Sequence, residues 1–276
     1  MHNYLNFKHD NMNELKVAKD VSAFVKSLVI PADHEHAALT NLVRTSVNYN
    51  QGLLKSTSTE NQESASVNAG SLTSFTGKMT GERKSDVQNS TLLAQLAADK
   101  KFDRMKDAMN WYKFYIDVLS NVGWVTSAFA FDKYTSGGTT VKLDEAVIGI
   151  LSAIATGDEI AIVKATMNSL QALGDDTKQM RIWNSNASDG NNGNFQIFPV
   201  SQEANGDAVM MMDGMQFVAH ESHGRFLWWS WQSNQINIQR AANKFVLDND
   251  VYSQVRQQII DKLGDKAKTF IAELDI

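Results

Sequence analysis

Residues 226–239 read Phe226-Leu227-Trp228-Trp229-Ser230-Trp231-Gln232-Ser233-Asn234-Gln235-Ile236-Asn237-Ile238-Gln239, which is half of the chain's six tryptophans followed by a polar tail. β-branched and aromatic residues of this density predict an extended strand. In such a strand Phe226 and Trp228 share one face, while Leu227, Trp229 and Trp231 share the other. Both faces then need cover, either from the core of the protein or from a partner or lipid headgroup layer that accepts indole rings. Phe226, Trp228, Trp229 and Trp231 are therefore the candidate contact residues for a partner protein or a membrane.

Around this run, strands are predicted at Phe195 to Val200, Ala208 to Val218 and Phe226 to Ile238, with turns at Asn205-Gly206-Asp207 and Ser222-His223-Gly224. That is an antiparallel meander. Upstream, Phe102, Met105, Met109, Tyr112, Ile116 and Leu119 step by three and four, which predicts one long central helix over 91–122. Trp124 to Phe131 reads as a strand. Asp144 and Asp158 stand where two helices of an apolar hairpin begin, with Gly157 and Gly174 at their ends. Residues 184–194 read as a polar loop. Val251, Val255, Ile259, Leu263, Ala267, Ile271 and Leu274 predict a long closing helix over 249–274. The fold class is thus α+β: an antiparallel C-terminal sheet packed against several helices, with long central and C-terminal members.

The remainder divides the chain. Residues 1–54 read as a helical segment, with one helix over 13–29 stopped by Pro31 and a second from Asp33 toward Tyr49. Residues 55–90 are rich in Ser, Thr, Asn, Gln and Gly and read as a flexible polar connection. Inside it, Ala65, Val67 and Ala69 alternate with Ser64, Ser66 and Asn68, a pattern that also suits an inserting β-hairpin over 63–79. Residues 91–276 form the main α+β domain.

With 276 residues, 43% of them hydrophobic, the chain can bury a large core. A formal charge of −5 and the lack of any long Lys/Arg run argue against nucleic acid. There is no cysteine, so disulfides, thiol nucleophiles and thiolate metal sites are excluded. The longest apolar run, Ala146 to Ala155, is half of the roughly 20 residues that a transmembrane helix requires. The N-terminal residues show no classical signal peptide, which leaves a cytoplasmic protein or one exported by another route.

Candidate chemistry is sparse. In a helix, His34 and His36 point about 200° apart and cannot hold one ion. His220-Glu221-Ser222-His223 is one residue short of the zinc motif and lies at a turn. The loop at Asp189-Gly190 lacks the other ligands of a calcium loop. Asp144-Glu145 and Asp158-Glu159 coincide with helix starts, where the helix dipole stabilises negative charge. No metal, cofactor or catalytic residue is expected, and the reading is of a non-enzymatic binding protein.

A further set of aromatic landmarks runs along the chain: Asn110-Trp111-Tyr112, Val122-Gly123-Trp124, Phe195-Gln196-Ile197, the run from Phe226 to Trp231, and Tyr252-Ser253-Gln254-Val255-Arg256. Through them the stretch from Asp103 to Asp275 resembles the Evf-type bacterial virulence factors and the accessory proteins encoded beside Mak-type tripartite pore-forming toxins. The resemblance implies an α+β fold and a toxin-associated role without enzymatic activity, with toxin components or a host membrane as partners. Acylation on a cysteine, which it would also imply, has no acceptor in this chain. The expected function is therefore a virulence- or toxin-associated protein that binds a partner or membrane surface. The alternatives are a β-pore-forming toxin that inserts the 63–79 segment, a hydrolase with an unrecognised site, and a self-assembling structural subunit.

Overall fold

The computed structural model describes residues 20–32, 62–221 and 225–276. In chain order the elements are α1 (residues 20–27), β1 (Ser64–Asn68), β2 (Ser71–Phe75), α2 (Gly81–Lys101), α3 (Ala108–Asn121), β3 (Trp124–Val125), β4 (Asp132–Tyr134) and β5 (Thr140–Lys142). There follow α4 (Leu143–Leu151), α5 (Gly157–Ala172), α6 (Lys178–Ala187), β6 (Ser188–Asp189), β7 (Asn192–Gln202), β8 (Ala208–Ala219), β9 (Ser230–Gln232) and β10 (Ile236–Leu247). The chain closes with α7 (Asn249–Ser253), α8 (Arg256–Leu263), α9 (Lys266–Phe270) and β11 (Ile271–Leu274).

One large sheet runs β11-β1-β2-β7-β8-β10-β3, with β4 also pairing β10 and β6 pairing β7. Neighbours are antiparallel except β2 and β7, which run parallel with Leu72 opposite Ile197. The β5–β9 ribbon is separate. The sheet is covered on both faces. On one, Leu92, Leu96, Tyr115, Leu119 and Ile259 from α2, α3 and α8 pack on Phe198, Met210, Met212 and Phe245. On the other, Val147, Val163, Met167 and Trp183 from α4, α5 and α6 pack on Phe195, Ile197, Met211, Met215 and Phe217. Strand alternation sorts these residues: in β8 the even-numbered methionines face the first layer and the odd-numbered ones the second. Each fully buried large side chain contributes about 1.5–3 kcal/mol through water exclusion.

The α+β class stands, with an antiparallel core of β7, β8 and β10 among the helices. Several sequence expectations are corrected. The central helix is two helices, α2 and α3, because Phe102 turns extended and the Asp103 carboxylate accepts from the amides of Met105 and Lys106 at 3.0 Å each, which closes a turn. The closing helix is three short helices and a strand. Gly264, at φ +51°, ends α8, and Ile271, Ala272 and Leu274 are spent on the edge strand β11, paired with β1. Of the strand expected over 124–131, Trp124 and Val125 alone pair in a ladder as β3. The polar loop expected at 184–194 is instead the end of α6 and the β6–β7 hairpin. Thr156 caps α5 in a reciprocal box with Glu159, so Asp158 lies in the first turn and does not cap.

The flexible connection expected over 55–90 is also corrected over its described part. Residues 65–75 are buried in the sheet interior, and α2 begins at Gly81 under a Thr80 cap. Several polar groups there are bonded: the Asn68 amide N–H donates to Gln88 O and Thr91 Oγ1 at 3.0 Å, and Ser71 Oγ donates to Gln196 Oε1 at 2.8 Å, while Asn68 Oδ1 and Thr73 Oγ1 are buried without a partner. The second N-terminal helix, expected from Asp33, lies outside the described residues, as do 55–61.

Candidate functional site

The aromatic run is a turn, not the strand expected over Phe226 to Ile238. Arg225 adopts a left-handed backbone (φ 58°), and Trp228 N and Trp229 N donate to Arg225 O and Phe226 O at 3.0 and 3.2 Å, forming one turn of 3-10 helix over Phe226–Trp228. β9 then pairs with β5, Trp231 opposite Val141, before a second reversal feeds β10. The physical reason lies in burial. A straight strand would have to cover aromatics on both faces, whereas the turn sends Phe226, Leu227 and Trp231 into one core.

The four predicted contact residues therefore divide. Phe226 stacks on Trp183 (centroids 5.7 Å apart, 18° between planes) and meets Phe195 and Phe217 at 5.4 and 5.3 Å. Trp231 meets Phe217 at 6.0 Å. Both are 3% exposed and belong to the core. Trp228 is half-buried against the same cluster, and Trp229, 45% exposed, stands outward. The turn is clamped beside it: Arg225 donates to Gln171 O at 2.7 Å and Leu173 O at 2.5 Å, the carbonyls that end α5, and pairs with Asp175 at 3.0 Å.

Two polar features were missed by the sequence reading. Arg104, in the break between α2 and α3, is buried and donates to Asn194 O, Gln95 Oε1 and Gln196 Oε1 at 3.0 Å each, with its guanidinium 4.3 Å over the Trp111 ring. Gln196 continues to the Tyr112 hydroxyl at 2.8 Å. Burial pushes the Tyr112 and Tyr115 phenols far above their ordinary values, so both stay neutral. Arg104, Gln196 and the Tyr112 hydroxyl are committed to protein acceptors, while the Tyr115 hydroxyl is buried without one, so the network is a brace between the helical layer and the sheet. Its signal in sequence was an arginine interrupting an otherwise apolar helical stripe.

The second is Asp213, fully buried in the middle of β8, with neither carboxylate oxygen hydrogen-bonded within the protein. Burial raises its carboxyl well above the usual carboxylate range, and Arg240 on β10 opposes that rise. A lone carboxylate within Val209-Met210-Met211-Met212-Asp213-Gly214-Met215 was the sequence signal. An open cleft of about 180 Å³ lies elsewhere, lined by Lys133, Tyr134, Thr135, Ser136, Val141, Ser233, Ile236, Asn237 and Ile238, none of them a carboxylate or histidine. Among the described residues no three His, Asp or Glu side chains gather to hold a metal, and no helix is long and apolar enough to cross a membrane. His34, His36 and His223 lie outside the described residues.

No family model matches the chain, and no curated protein matches it. Among solved structures, the fold is similar to a delta-endotoxin at a TM-score of 0.42 and 12% identity, over 66% of this chain and 84% of that one. It is similar to the Evf virulence factor at a TM-score of 0.34 and 13% identity, over 83% of this chain and 89% of that one. The activated Cyt2Ba monomer from Bacillus thuringiensis subsp. israelensis gives a TM-score of 0.32 at 9% identity, over 49% of this chain and 79% of that one.

Proposed function

We propose that the chain is a non-enzymatic, toxin-associated protein that acts by docking the Trp228–Trp229 turn onto a membrane surface or a partner protein. One observation carries the docking site: the Trp229 indole is 45% exposed on a turn whose neighbours Phe226 and Trp231 are each 3% exposed. The ring is thus presented from a rigid base, and little ordering entropy is lost when it is covered. Indole combines an apolar body with one polar N–H, which suits an interface between apolar and wet surroundings. Toxin association rests on the aromatic landmarks from Trp111 to Tyr252. The non-enzymatic reading is supported by the burial of Asp213, which is walled in away from the open cleft, and by a cleft lining without carboxylate or histidine.

The test is co-sedimentation with phosphatidylcholine vesicles, comparing the wild type with Trp229→Ser. Loss of vesicle binding with an unchanged melting temperature is expected. Equal binding by both proteins would remove Trp229 from the site, and no binding by the wild type would turn the search to a soluble partner.

A second reading has its own observation. In the β1–β2 hairpin, Ala65, Val67 and Leu72 join one apolar cluster while Ser66, Asn68, Ser71 and Thr73 face the opposite layer, the alternation of an amphipathic hairpin. This supports a pore-forming role for the 63–79 segment. Each arm is five residues, short of the roughly 9–11 that span a bilayer, and release would break the ladders to both β11 and β7. Detergent-resistant oligomers formed on liposomes would favour this reading, and persistent monomer would remove it.

A further inference from the structure

Asp213 stands opposite Ile197 of β7 and Ala242 of β10, on the sheet face where Met211 and Met215 flank it along the strand. Those methionines share an apolar cluster with Val147, Ile150 and Leu151 of α4, the helix that packs on β8. The carboxyl is 0% exposed and neither oxygen finds a hydrogen-bond partner in the protein. A buried polar group in that condition is an exception that calls for a reason.

We propose that Asp213 is a pH-sensitive latch for α4: when protonated it lets the helix lie on the sheet, and when ionised it loosens that packing.

The charged surroundings are one-sided. From β10, Arg240 is the cation that acts on Asp213, and its own Nε is without a hydrogen-bond partner. Through the sheet, the Tyr112 hydroxyl of α3 feels the Asp213 charge but is itself neutral. On α4, which packs on β8, the buried residues are Leu143, Ala146, Val147, Ile150 and Leu151, all apolar, while Asp144 and Glu145 stay outside the core and Glu145 pairs with Lys142 at 3.1 Å. β7 contributes Ile197. An ionised Asp213 therefore meets a mostly apolar roof, with one partly buried arginine to offset its charge. The least costly relief is to admit water by lifting the nine-residue α4, since the strands on either side are held by long ladders.

The sign follows from linkage. Burial raises the folded-state carboxyl above its ordinary 3.8. The closed form then keeps a proton that the open form releases, so closure is fully stable below that ordinary value. It weakens as pH climbs toward the folded value and levels off beyond it. In that window the opening constant of α4 rises by about tenfold per pH unit.

Hydrogen exchange with mass spectrometry on the full chain from pH 5 to 9, corrected for intrinsic exchange, tests this. The wild type is expected to show α4 opening that grows by about tenfold per pH unit until it levels, and Asp213→Asn is expected to show none of that growth. Amides of α2, on the other face, are expected to stay protected in both. A pH-independent wild-type α4 overturns the proposal without any variant, as it would if the carboxylate simply paired with Arg240 in place. So does a wild-type pH response retained in Asp213→Asn, or an α2 that opens in step with α4. Should the Asn variant fold poorly, Asp213→Leu gives the same comparison.

Discussion

Trp183 of α6 and Phe226 of the aromatic turn lie nearly parallel, 5.7 Å between centroids and 18° between planes, so a helix beneath the sheet fixes the turn that carries Trp229 outward. The buried and the exposed aromatics of that turn should accordingly respond in opposite ways to substitution. Phe226→Ala leaves a cavity among Trp183, Phe195 and Phe217 and is expected to cost about 3–5 kcal/mol in urea unfolding. Trp229→Ser is expected to stay within about 0.5 kcal/mol of the wild type. Comparable losses from both would mean that Trp229 is part of the core.

Arg104 should be irreplaceable by another long side chain. Arg104→Met keeps the length but leaves Asn194 O, Gln95 Oε1 and Gln196 Oε1 without their shared donor, with an expected loss of about 3–5 kcal/mol. Arg104→Lys is expected to recover little of it, since one ammonium lacks the planar fork that reaches three acceptors. A lysine variant as stable as wild type in thermal melts would show that the brace matters less than its geometry indicates.

The β1–β2 turn carries two adjacent substitutions of opposite expected sign. Ala69 holds a left-handed backbone, φ 50°, and Ala69→Gly is expected to stabilise the protein by about 0.5–1 kcal/mol by relieving it. At Gly70 an added Cβ would stand 2.2 Å from the Arg104 guanidinium, so Gly70→Ala is expected to destabilise by about 1–3 kcal/mol. Chemical denaturation of both variants checks the pair, and a stable Gly70→Ala would place Arg104 elsewhere.

Asp213 also sets a pH dependence of global stability. Its raised folded-state carboxyl means that this group's contribution to stability is fully present below the ordinary value of 3.8 and is lost as pH rises toward the folded value. Asp213→Asn should therefore raise the melting temperature at pH 7 more than at pH 4. A gain that does not depend on pH would trace to packing rather than ionisation.

How much of this was legible in the sequence depended on where the stabilising contacts lie. β7 and β8 were readable because their apolar residues are consecutive and their turn, Asn205-Gly206-Asp207, is chemically marked. The alternation of the β1–β2 hairpin was visible but its place in the sheet interior was not, since its burial is made possible by partners far along the chain, Gln88, Thr91, Thr166 and Gln196, which no local pattern reveals. Helical spacing across Phe102 and Met105 continued in phase through a break that only the Asp103 turn and the buried Arg104 explain. The aromatic run was found, but its bend was not. Phe226 and Trp231 are core residues because Trp183 and Phe217 receive them, which leaves Trp228 half-buried and Trp229 exposed.

The most direct test of the docking account is tryptophan emission during titration with phosphatidylcholine vesicles, for the wild type, Trp229→Ser and Trp231→Phe. A blue shift is expected in the wild type and in Trp231→Phe and is expected to disappear in Trp229→Ser. A shift of equal size in all three proteins would contradict it, because the indole entering the lipid would then not be Trp229.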